Sequence, residues 1–191
     1  MKGKRIVLVG LASLMLVAVP GCSKWQPVEK SEVACDLPYE VNTEGAYEGF
    51  LGVHSDITKE EAIKDGCYVV ENGTPVGNEE KWKFFQSSAK EGKEVGLRIV
   101  SIYDENKPIY DLFYHEDGYY VYDFASTIDR NGPYSYLLNL KGTFTGADGE
   151  TELTVLANEK ELTFEEIDRA MAEGDGNGFE EKLGIQVLYV N

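Results

Sequence analysis

The chain has 191 residues, of which 42% are hydrophobic and 12% aromatic, enough to build one real core. Its 34 acidic residues outnumber 18 basic ones, giving a formal net charge of −16. Such a surface repels nucleic acid, anionic lipid and anionic wall polymers, and it favours cations and basic partners.

The chain opens with Lys2, Lys4 and Arg5, an uncharged run from Ile6 to Val19, and then Pro20-Gly21-Cys22. That order of charged, apolar and small residues is the order of a secretory signal peptide. A helix rises about 1.5 Å per residue, so this run is too short for the ~30 Å hydrocarbon core of a membrane. Gly21 directly before Cys22, with Val19 two places earlier, resembles a bacterial lipobox, although Pro20 departs from it. Residues 1–21 are therefore expected to be a lipoprotein signal peptide, and Cys22 the lipid attachment site. Two acyl chains on one cysteine suffice for stable tethering, at about 0.8 kcal/mol per buried methylene. Removing residues 1–21 takes away three bases and no acid, which moves the net charge to −19. Residues 22–46 are polar, contain Pro27 and Pro38, and read as a tether to a single domain at 47–191.

With Cys22 lipidated, Cys35 and Cys67 are the remaining thiols. Outside a reducing cytosol they form either one disulfide or two unpaired buried side chains, and the sequence leaves both open. With two histidines, His54 and His115, and no close cysteine pair, zinc chemistry is not expected. No cofactor motif is present.

Within the domain, Thr58 and Glu61 form a capping box for a helix that Gly66 stops, and Cys67 to Val70 reads as a strand closed by Asn72-Gly73 and Pro75. A second helix is expected with Asn78 as its cap and Trp82, Phe85 and Ala89 on one side, ending at Gly92. Strands follow at Val95–Tyr103, Ile109–His115, Tyr119–Phe124, Tyr136–Phe144 and Thr151–Leu156. Thr163 and Glu166 repeat the capping box for a third helix, with Phe164, Ile167 and Met171 on one side. Gly184–Val190 reads as a last strand. The expected class is α+β, an antiparallel sheet of about five to six strands with two or three helices on one face.

The segments "ITKEEAIKDGCYVV" and "LRIVSIYDENKPIYDLFYHEDGYYVYDFAS" resemble the domain of unknown function found in small lipoproteins of Gram-positive bacteria. The resemblance covers Ile57 to Ser126. It departs at Cys67, where that family more often has an acidic residue, and at C-terminal cysteines that this chain lacks. It implies a lipid-anchored protein of a Gram-positive envelope, and it brings no established activity with it.

Chemistry-bearing groups are sparse. His115 beside Glu116 and Asp117 sits at an expected hairpin tip, a poor place to exclude water. Glu173, Asp175 and Asn177 imitate the start of a calcium loop, but the twelfth position is Gly184 in place of the bidentate glutamate. Asp104, Asp111 and Asp123 lie on or beside strands and are candidate carboxylates for a hydrolase, with no cleft visible in sequence. Eight of the twelve tyrosines fall between Tyr103 and Tyr136. A two-residue turn at Asp117-Gly118 places Tyr110, Leu112, Tyr114, Tyr119 and Val121 on one face, and Phe113, His115, Tyr120, Tyr122 and Phe124 on the other. One face must be core, so Tyr110, Tyr114, Tyr119, Tyr120 and Tyr122 are the candidates for an aromatic binding face toward glycan, peptide or an envelope protein. The expected function is a non-catalytic binding or envelope-associated domain of unknown ligand. The alternatives are an extracytoplasmic hydrolase using acidic residues and an inhibitory or structural lipoprotein.

Overall fold

A computed structural model describes residues 56–103, 106–116, 118–124, 132–174 and 178–191, together with the backbone of three short strands ahead of them. Those strands are β1 (Glu32–Val33), β2 (Tyr39–Val41) and β3 (Tyr47–Phe50). Then come α1 (Lys59–Lys64), β4 (Tyr68–Glu71), β5 (Thr74–Gly77), α2 (Glu79–Lys90), β6 (Val95–Ile102), β7 (Ile109–His115) and β8 (Gly118–Asp123). The chain finishes with β9 (Tyr136–Gly142), β10 (Thr151–Ala157), α3 (Phe164–Glu173), α4 (Phe179–Leu183) and β11 (Gln186–Val190).

The class is α+β, but the strands form two larger sheets where one was expected. The principal sheet runs β5-β4-β6-β7-β8, the second β11-β10-β9, and β2 pairs with β3 alone. The principal sheet is mixed: β4 and β1 both lie parallel to β6, in line along its one edge, with Glu32 opposite Val95 and Tyr68 opposite Ile99. The sheet thus reaches back into the segment read as tether. Being parallel to β6 and covered on both faces explains why "CYVV" is apolar throughout. The sequence places Pro75 with Asn72-Gly73 among the residues that close β4, whereas Pro75 lies within β5. That strand is an exposed edge, where Pro75 is tolerated because the edge needs no amide there. Asn72 and Gly73, both at positive φ, make the two-residue turn that joins it to β4.

The helices do not share one face of the principal sheet. α2 lays Trp82, Phe85 and Ala89 against Tyr68, Val70, Leu97, Ile99, Leu112 and Tyr114, the largest core cluster. Fully burying each of these apolar side chains contributes roughly 1.5–3 kcal/mol. α1 sits on the opposite face, where Ile57 and Ala62 pack with Cys67, Val69, Val100 and Ile109. Both expected capping boxes form: Thr58 Oγ1 accepts from the Glu61 amide at 3.2 Å, and Thr163 Oγ1 from the Glu166 amide at 3.3 Å. Asn78 holds the residue position before α2 but does not cap it. In a left-handed conformation, its Nδ2 donates to the carbonyls of Ile63 at 2.7 Å and Cys67 at 2.8 Å, tying the start of α2 to the end of α1.

The second sheet carries α3 on one face, through Leu153, Val155, Ala157, Phe164, Ile167 and Ile185. Its other face adds Leu156, Leu188 and Tyr189 to the α2 core. A bulge between β10 and β11 leaves Leu188 as the extra residue, so that Leu188 and Tyr189, neighbours in sequence, both reach that core. A bridge between Tyr119 and Tyr134, two 2.8 Å backbone hydrogen bonds, ties β8 to the segment leading into β9.

Candidate functional site

The β7–β8 hairpin decides where the candidate aromatics lie. His115 pairs with Gly118 and Glu116 stands at φ 49°, so Asp117-Gly118 is not the two-residue turn, and Asp117 lies outside the described residues. The pairing is therefore displaced by two residues: Phe113 lies opposite Tyr120 and Asp111 opposite Tyr122. A displacement of two keeps each side chain on its face. Tyr110, Tyr114 and Tyr119 belong to the α2 core, and they are not brought together with Tyr120 and Tyr122. Burial raises the pKa of Tyr110 most, with Asp123 and Glu180 adding to it, and burial also raises that of Tyr119.

The opposite face is built in rows across β6, β7 and β8. Gly96, Phe113 and Tyr120 form one row, and Arg98, Asp111 and Tyr122 the next. Arg98 and Asp111 are both wholly buried and make a two-pronged ion pair, Nε to Oδ1 at 2.6 Å and Nη2 to Oδ2 at 2.8 Å. The guanidinium carbon stands 5.4 Å from the centre of the Phe124 ring. Tyr122 and Phe124 meet edge to face at 4.9 Å between centroids, and Tyr120, Tyr122 and Phe124 are each half-buried. Toward the hairpin tip, His115 Nδ1 lies 3.0 Å from Glu94 Oε2. Burial, with Glu116 nearby, raises the pKa of Tyr120. The arrangement is a short aromatic strip over a rigid charged base.

Asp111, one of the candidate hydrolase carboxylates, is committed to Arg98, and Asp123 stands opposite Tyr110 at the end of β8. Asp104 lies outside the described residues, as do Cys22, Cys35, His54, Asp175 and Asn177. Cys67 is wholly buried beneath α1. Glu173, the first residue of the calcium-like loop, is ion-paired with Lys182 of α4.

Among the described residues, three carboxyls are held below their ordinary range. Glu166 is held by the Thr163 amide and hydroxyl, Asp168 by the Thr145 amide and hydroxyl, and Glu173 by Lys182. Among the described residues, no helix is long and apolar enough to cross a membrane. No family model, no curated protein and no solved structure matches this chain.

Proposed function

We propose that the chain is a lipid-anchored protein of the extracytoplasmic face of a cell membrane, acting by binding and not by catalysis. The observation that carries the anchor is the order of Lys2, Lys4 and Arg5, an uncharged run ending at Val19, and Gly21-Cys22. The resemblance of residues 57–126 to small Gram-positive lipoproteins points the same way. The binding role is supported by Tyr120, Tyr122 and Phe124, partly open rings set on a base that the Arg98–Asp111 pair makes rigid. Of the candidate hydrolase carboxylates, Asp111 is wholly buried and committed to Arg98, which favours its ionised form over a proton-donating role.

Two measurements test this. Radiolabelled palmitate enters the wild-type protein in its own cell and not Cys22→Ala; equal labelling of both overturns the anchor. Envelope glycan or protein retained by the wild type is released by Tyr120→Ala with Tyr122→Ala while the fold, read by circular dichroism, is unchanged. Equal retention overturns the aromatic contact surface.

A further inference from the structure

We infer that a second site, the cleft between α3, α4 and the end of β10, receives a lysine or arginine side chain from a basic polypeptide. The cleft encloses about 250 Å³. That is below the ~300 Å³ at which small-molecule pockets usually begin, and it suits one long side chain better than a whole cofactor. Its floor is apolar: Ala157, Leu162, Ala170 and Ile185 are all buried, and Leu183 closes one side.

The rim is charged, with three acids, Glu159, Glu166 and Glu173, against two bases, Arg169 and Lys182. Lys182 is neutralised by Glu173 across the gap between α4 and α3. Arg169 stands three residues after Glu166 and four before Glu173 on α3, so its charge is screened by both. Glu159 is left at the mouth as the acid in excess. Hydrogen bonds from Thr163 and from Lys182 hold the carboxyls of Glu166 and Glu173 below the ordinary range, which favours their charged forms.

An apolar floor with a net-negative rim matches a side chain that has a methylene stem and a cationic head, in the way such side chains lie along apolar surface with the charge left at the water. An anion meets the wrong sign at the rim. A wholly apolar ligand strips water from charges and gives them nothing in return. The net charge of −16 on the whole chain adds long-range attraction for a basic partner. None of these residues belongs to the aromatic strip, so this site stands or falls independently of it and of the lipid anchor.

The test is an amide NMR titration of the full chain in zwitterionic micelles. The probes are the acetylated and amidated peptide Gly-Lys-Gly and the same peptide with its lysine Nε-acetylated. The lysine peptide gives saturable shifts centred on Ala157, Leu162, Ala170 and Ile185. The acetylated one binds about two- to fivefold more weakly, the scale of one lost exposed ion pair with its stem in place. Glu159→Lys, a surface change, weakens the lysine peptide by about three- to tenfold, and Ala170→Met, which fills the cleft, removes the shifts. Where Ala170→Met fails to fold, Glu159→Lys decides. Equal binding of the acetylated peptide, shifts spread over the acidic surface, or no saturable shift at all overturns the proposal.

Discussion

Asp111→Asn keeps the size of the side chain and removes its charge, which leaves the Arg98 guanidinium inside the protein without its counter-ion. Both residues are wholly buried and joined by hydrogen bonds of 2.6 and 2.8 Å, so water cannot take over the role of the carboxylate in the folded state. Breaking such a pair from one side costs roughly 3–5 kcal/mol. For a chain of this length, 1 kcal/mol corresponds to about 2–4 °C in Tm, which puts the loss at roughly 6–20 °C. Arg98→Met with Asp111→Leu removes both charges and fills the space with apolar groups. That double variant is expected within about 1–2 kcal/mol of the wild type, because it also removes the desolvation penalty of two ions. Urea unfolding followed by far-ultraviolet circular dichroism measures these and the two single variants Arg98→Met and Asp111→Leu, with an unchanged m-value showing that the same surface unfolds. A loss below about 1 kcal/mol for Asp111→Asn, or single and double variants that add without coupling, refutes the reasoning.

Acid stability follows from the depressed carboxylates. A folded pKa below the unfolded one gives stability that is fully present above the ordinary carboxylate range and lost as pH falls through the folded value. Tm therefore declines below about pH 4.5. Glu166→Gln with Asp168→Asn flattens that decline, and a Tm that rises on acidification contradicts the assignment. At Gly142, a Cβ would overlap the Phe164 ring, so Gly142→Ala is expected to cost about 1–3 kcal/mol by thermal melting. Gly146→Ala, whose Cβ would meet open space, costs less in spite of its φ of 84°, about 1 kcal/mol.

The helices of the domain are legible because their signals are local. A threonine followed three residues later by glutamate names both capped helix starts, and Trp82, Phe85 and Ala89 name the buried side of α2. What escapes is set by long-range pairing. Nothing local says that β4 lies parallel to β6, although an unbroken apolar run is the pattern such a strand makes. Asn78 has a capping residue's identity and position, yet its side chain goes to two carbonyls of an earlier segment, a contact that exists only once α1 and α2 are packed. α4 is hidden behind glycines, because Gly178 and Gly184, both at positive φ, bound a helix of five residues that is too short to show a period.

The hairpin faces were legible even though the turn was misplaced. An error of two in register preserves side-chain direction, whereas an error of one would have exchanged core and outer face. The charged pair leaves a trace in the sequence: "GLRIVS" and "IYDLFY" each carry one charge, of opposite sign, in an otherwise mostly apolar run. In the observed register those charges are directly opposite. Sliding β7 by two residues would set Arg98 against Phe113 or Ile109 and leave two buried charges apart, at a penalty of several kcal/mol each. Leu97 and Ile99 would still meet apolar partners after either slide, Tyr114 and Leu112 in the first and Tyr110 and Pro108 in the second, whereas Val95 would meet Glu116 in the first and Leu112 in the second. On the α2 side, hydrophobic packing therefore opposes such a slip only weakly, and the Arg98–Asp111 pair is what opposes it in both directions. Because Asp111 is also the partner of Tyr122, the same ion pair fixes where the half-buried rings of β8 stand above β6 and β7.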